Sequence, residues 1–164
     1  MAVQRLVLDT FADDDYELIA IHCSLASYRL AFLLNKNLSL RLFRKKEDII
    51  FSHNDLIASF PLYQFEDHFQ YTTYSLFGNK FQAKTEQKNN ITNGLFTASA
   101  EDTLVTKYLI PELKNVDYFL KIETEASNFS SKSLLLNMLN ISQIMTAYIL
   151  DYAALKSKNN LIFE

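Results

Sequence analysis

Few side chains in this 164-residue chain could do chemistry, and most of them stand apart. Glu112 and Asp117 flank the short stretch Leu113-Lys114-Asn115-Val116, with Tyr118 next to the second carboxylate. Two carboxylates beside a phenol are raw material for general acid–base catalysis or for a hard-metal site. Neighbouring residues supply neither a third ligand nor a base. His22 and Cys23 are consecutive, and on a strand consecutive side chains point to opposite faces, so they cannot form a local thiol–imidazole dyad. Cys23 could meet His53 or His68 only through tertiary structure, and a thiol beside Ile19 and Ile21 reads first as a small buried hydrophobe. Three His and one Cys without a C-x-x-C or H-x-x-x-H spacing exclude a structural zinc site. The run Asp13-Asp14-Asp15 lacks the spaced oxygens and the glycine of a calcium loop and reads as a solvated turn. With 2 Gly in the whole chain there is no material for a phosphate cradle, a dinucleotide fingerprint or a nucleophile elbow. No metal or cofactor is expected.

The remaining candidates are surfaces rather than reaction centres. Tyr71-Thr72-Thr73-Tyr74, with Phe69 and Phe77, is an aromatic strand able to stack bases or to meet a protein. The net charge of -3 is spread evenly along the chain, which weighs against a polyanion partner: no DNA binding is expected, and RNA binding is disfavoured. The one basic cluster, Arg41, Arg44, Lys45 and Lys46, is followed at once by Glu47 and Asp48 and reads as a solvated strand end and turn. Lys156-Ser157-Lys158-Asn159-Asn160 is turn-like, yet Leu161-Ile162-Phe163 follows, and such an apolar tripeptide needs a home. Docking on its own sheet is favoured over engagement of a partner by strand addition.

The elements that must position these groups follow from turn chemistry and periodicity. Length and a 49% apolar composition fit a single α+β domain spanning residues 1–164. Asn and Asp take over the turn positions that scarce Gly and Pro leave open. Gly78-Asn79 suits a two-residue hairpin between Tyr71–Phe77 and Lys80–Ala83, and Asn93-Gly94 suits a second, so the middle reads as an antiparallel meander. In the first of these strands Phe69, Tyr71, Thr73 and Phe77 share one face, and Gln70, Thr72 and Tyr74 the other. The stretch Ile57–Phe65 reads as a strand in which Pro61 requires an edge or a bulge, and Ala83–Thr92 as a polar loop.

Both flanks read strand, helix, strand. The first is Asp15–His22, a helix Leu25–Leu34 capped by Ser24 and stopped by Asn35 to Asn37, then a strand Leu38–Phe43. The second is Val116–Glu123, a helix Leu134–Leu139 capped by Ser130 or Ser131 and stopped by Asn140, then Gln143–Leu150. Two such units around a meander predict an antiparallel-rich sheet with both helices on one face and the opposite face more exposed.

Residues Ile110-Pro111-Glu112-Leu113-Lys114-Asn115-Val116-Asp117-Tyr118 spell the signature I-P-E-x-x-x-V-D-Y. The chain is similar to the IPExxxVDY family of Bacteroidota, also in its Ile21-His22-Cys23-Ser24 strand end and in Leu155 to Phe163. That resemblance implies no activity. Physically the signature reads as a connector between strands: Pro111 opens one helical turn, Glu112 sits at its positive end, and Asn115 leaves through a left-handed conformation. Val116, Tyr118, Leu120 and Ile122 then point inward on one face. The functional alternative is a site built from Glu112, Asp117 and Tyr118, with His22 in reach, that binds a small ligand or catalyses a reaction.

A single cysteine fits a reducing compartment, and Met1 to Leu8 lacks the apolar stretch of a signal peptide, so a cytoplasmic location away from membranes is expected. The resulting expectation is a non-catalytic accessory or protein-interaction module. Its surface is drawn from Tyr71, Tyr74, Lys156, Lys158, Asn159, Leu161 and Phe163, and its partner is another protein or a second copy of the chain.

Overall fold

A computed structural model describes residues 16–53, 56–85 and 103–163; Asp13 to Asp15 and Asn93-Gly94 lie outside them. The main sheet has six strands in the order β10-β1-β9-β6-β5-β2, all antiparallel. They are β1 (Tyr16–His22), β2 (Phe43–Arg44), β5 (Leu62–Asp67), β6 (Thr72–Gly78), β9 (Tyr118–Thr124) and β10 (Thr146–Leu150). Two separate hairpins pair β3 (Ile49–His53) with β4 (Leu56–Phe60) and β7 (Lys80–Thr85) with β8 (Thr103–Tyr108). The fold is α+β. Its central strands carry unbroken apolar runs, such as Leu18–Ile21 and Phe119-Leu120, the pattern of strands buried on both sides.

Helices α1 (Ser27–Leu38) and α2 (Ser131–Leu139) share one face of the sheet. There Leu30, Ala31, Leu34 and Met138 pack on Ile19, Ile21, Tyr74, Leu76, Leu120 and Ile122. For α2 the local signals hold: Ser130 is the N-cap, its side chain accepting from the Ser133 amide, and Asn140 ends the helix. For α1 they do not. Its N-cap is Ala26 rather than Ser24, and it runs through Asn35 to Asn37 before Ser39 turns left-handed at φ 55°. Asn35 instead reaches out of the helix, donating to the Leu42 carbonyl at 2.9 Å and accepting from the Leu42 amide at 2.8 Å. Those bonds occupy the backbone groups that a Leu38–Phe43 strand would have used. Leu40 and Leu42 are still buried, but the ladder shrinks to Phe43–Arg44.

The opposite face is not the more exposed one. Leu18, Ala20, Phe77 and Phe119 are buried there beneath Ile49, Ala58 and Phe60 of the β3–β4 hairpin, beneath Leu109 and Ile110, and beneath Leu161. Two pivots build this second layer. Pro61, expected at an edge or bulge within one strand, splits that strand into β4 and β5 on different sheets, because it has no N–H to continue a ladder. Gly78-Asn79 closes no hairpin: β6 and β7 lie in different sheets, and the Asn79 backbone bonds the Asp117 carbonyl and the Leu109 amide, each at 2.9 Å.

Candidate functional site

The signature segment joins β8 to β9 at the sheet end where β1 and β6 finish. Pro111 occupies the start of a single 3₁₀ turn, Pro111–Leu113, with Glu112 in that turn. Ile110 and Val116 are buried. Asn115 does not adopt the left-handed conformation expected of it, since Ser39 and Tyr71 alone have positive φ among the described non-glycine residues. Val116 packs with the outer-layer cluster, whereas Tyr118, Leu120 and Ile122 face the helices, because the extended strand starts only at Tyr118.

Asn79, outside the signature, holds the connector together. Wholly buried, its side chain donates to the carbonyls of Leu113 (2.8 Å) and Val116 (3.1 Å) and accepts from the Ile110 amide at 2.8 Å. Asp117 accepts from the Cys23 amide at 3.0 Å and pairs with Lys80 at 2.7 Å. Tyr118 donates its hydroxyl to the Leu25 carbonyl at 2.5 Å, and burial, reinforced by Cys23 and Asp117 nearby, pushes its pKa up to about 12. Glu112 accepts from the Ser157 amide at 2.9 Å. Burial opposes its charge, but backbone amides outweigh this and hold the carboxyl below its usual range. Glu112 and Asp117 thus share no partner, and among the described residues no cluster of three or more His, Cys, Asp or Glu could hold a metal ion.

The other sequence candidates separate. Cys23 is buried and donates its thiol to the Gln143 carbonyl at 3.4 Å. His22 contacts Tyr148, at 3.4 Å between ring nitrogen and hydroxyl. His68 lies in the β5–β6 turn, at the far end of the sheet from Cys23, and His53 ends β3 in a separate hairpin. In the basic cluster, Arg44 pairs with Asp48 and Lys45 lies over the Phe43 ring at 5.5 Å. The 155–163 segment folds back on the outer layer. Leu161 is buried, Asn160 donates to the Leu109 carbonyl at 2.8 Å, and Phe163 meets Phe77 edge-on at 5.1 Å. Beneath it Lys121, 4% exposed, pairs with Glu123 at 2.9 Å and lies between the rings of Tyr16 (4.7 Å) and Phe163 (5.1 Å). Lys156, Lys158 and Asn159 accompany this segment at the surface.

A hollow opens at the opposite end of the sheet, on the helix side. It is a groove of about 690 Å³ whose walls include Leu38, Phe65, Asp67, Tyr71, Tyr74 and Phe129. Tyr74 stacks on Phe65 at 5.9 Å and meets Phe129 edge-on at 6.4 Å. Phe69 and Tyr71, read from sequence as one strand face, sit instead in the β5–β6 turn, 97% and 71% exposed on the groove rim. Asp67 shapes that turn by accepting from the amides of Phe69 (2.9 Å) and Gln70 (3.2 Å). Tyr71 and Tyr74 were legible as candidates, but Phe65, Asp67 and Phe129 carried no sequence signal of their own. Comparison with protein-family models, curated proteins and solved structures finds no match for this chain.

Proposed function

We propose that this chain is a non-catalytic, cytoplasmic member of the IPExxxVDY family that works as a protein-interaction module, with the aromatic groove as its binding face. One observation carries the reading. Phe69 and Tyr71 stand in water on the rim of a groove walled by the buried Tyr74 and the half-buried Phe129. Exposed rings grouped in this way mark interaction sites more than they serve the fold. Among the described residues no Lys or Arg lines the groove, which weighs against an RNA strand as occupant. The engagement of Glu112 and Asp117 by the fold's own backbone weighs against an enzyme or small-ligand site there.

The test is affinity capture with the wild-type chain and with a Phe69→Ala/Tyr71→Ala double variant whose melting temperature is checked first. A stoichiometric partner retained by the first and lost by the second supports the reading. A monomeric wild-type chain without a partner, or an identical partner set for both, refutes it. Glu112→Gln and Asp117→Asn variants that keep the same partner eliminate the site built from the signature carboxylates.

A further inference from the structure

Among the described residues, the lining of the groove contains one charged side chain, Asp67, and no Lys, Arg or His. Lys36, Arg41 and Lys132 flank lining residues in sequence but do not line it. One carboxylate oxygen of Asp67 is spent on the turn amides, and the other has no hydrogen-bond partner among the described residues. Tyr74 is 4% exposed, lines the groove, and its hydroxyl likewise has no hydrogen-bond partner among the described residues. Burial, with the charge of Asp67 nearby, raises the Tyr74 pKa, so the hydroxyl stays protonated at neutral pH and can both donate and accept. Glu17 Oε2 is the buried, unpartnered side-chain oxygen among the described residues, so the Tyr74 hydroxyl opens onto the groove, where a ligand can reach it.

The surroundings point the same way. A smaller hollow of about 180 Å³ continues past the same turn and is lined by Glu66, Asp67 and Glu125 together with His68 and Tyr71. Across the sheet, Glu17 stands opposite Ile122, and Ile122 opposite Tyr74, so the cross-strand row that reaches the groove at Tyr74 ends in a carboxylate with one buried, unpartnered oxygen. That oxygen belongs to a strand two steps away, roughly 10 Å by strand spacing. The helix ends add little net field, because the α1 C-terminus at Leu38 and the α2 N-terminus at Ser130 both reach the groove with opposite signs.

We propose that the groove receives an arginine side chain carried on an extended segment of a partner protein, with the guanidinium against the rings of Phe69 and Tyr71 and donating to Asp67 and the Tyr74 hydroxyl. This rests on the reading of the groove as a protein-binding face and adds the chemistry of what it binds. A planar guanidinium stacks on aromatic faces, supplies several donors in one plane and sheds water more readily than an ammonium. The volume of the groove exceeds one side chain, and Leu38, Leu40 and Leu134 offer apolar wall for the residues on either side of the arginine.

The test is an amide-resolved NMR titration with three capped pentapeptides, identical except for arginine, lysine or citrulline at the centre between two leucines. The arginine peptide is expected to shift Asp67 to Tyr74 and Phe129, with affinity near 1 mM, the range that one stacked ion pair supports. Citrulline, a neutral shape mimic, should bind about tenfold more weakly, and Asp67→Asn should lower the affinity of the arginine peptide by a similar factor. That substitution keeps the oxygen that holds the turn, so the fold is preserved. Equal binding of the arginine and citrulline peptides overturns the cation and leaves the groove as a protein-binding face. Equal binding of arginine and lysine overturns the guanidinium. No groove shift with any peptide up to about 5 mM, several times the expected dissociation constant, overturns both readings.

Discussion

Replacing Asn79 with alanine should be the most damaging polar substitution in the protein. The side chain is wholly buried and makes three hydrogen bonds, from its amide to the Leu113 and Val116 carbonyls and to its oxygen from the Ile110 amide. Alanine removes all three and takes the partner from the Ile110 amide and from the Val116 carbonyl, while the Leu113 carbonyl keeps the Val116 amide. At about 1 kcal/mol net for each bond, and more for each group left unsatisfied, the loss is about 3–5 kcal/mol. That is a large share of the 5–15 kcal/mol that holds a typical domain together. For a chain of this length it corresponds to a fall in melting temperature of about 10 °C. Urea unfolding at pH 7 measures it directly, as a lower midpoint with an unchanged slope. Asn79→Asp sharpens the test, because it keeps the acceptor for Ile110 but turns an anion toward two carbonyl oxygens. It should be at least as harmful as alanine at neutral pH and should recover in part on acidification, where a protonated carboxyl can donate again. Lys80→Ala, which breaks an exposed ion pair to Asp117, should cost less than about 1 kcal/mol. A loss below about 1 kcal/mol for Asn79→Ala would refute the account of the connector as a segment clasped by one amide.

Other outcomes follow from the same contacts. Tyr118→Phe deprives the Leu25 carbonyl of its donor and should cost about 1–2 kcal/mol in urea unfolding. Because folding raises the Tyr118 pKa from 10.0 to about 12, the wild-type chain should lose stability as pH rises from 10 through 12, and the Phe variant should lose less over that window. Glu112 has a lowered folded pKa, so its contribution is present above its ordinary value of 4.5 and fades as pH falls through the lowered one; Glu112→Gln should flatten that acid limb in pH-dependent melting. Leu161→Ala should cost about 2–4 kcal/mol in the same assay, since the side chain is fully buried in the outer layer. Pro111→Ala, at the exposed first position of its turn, should stay within about 1 kcal/mol.

What the sequence discloses here depends on how locally each feature is encoded. Helix α2 is legible because its cap, Ser130, and its stop, Asn140, act within one turn of the helix. The start of α1 is misread because Ser24 has the right side chain in the wrong place, and its end because Asn35 spends its amide on Leu42 across the following loop. The outer layer is invisible for a related reason. A Pro61 at a bulge and a Pro61 at a change of sheet look alike in a string of letters, and the role of Asn79 rests on partners more than thirty positions away. Tyr71 and Tyr74 stand out as aromatic residues, whereas Asp67 and Phe129 matter only because the β5–β6 turn and the segment before α2 meet at one end of the sheet.

The ammonium of Lys121, roofed by the ring of Phe163, turns the 155–163 segment into something that can be timed. While the roof is on, an amine-acylating reagent has no path to that nitrogen; whenever the segment lifts, it does. The rate at which Lys121 is acylated, set against the fast reaction of the exposed Lys132, therefore reads how often this corner of the molecule breathes, without any label having to be introduced.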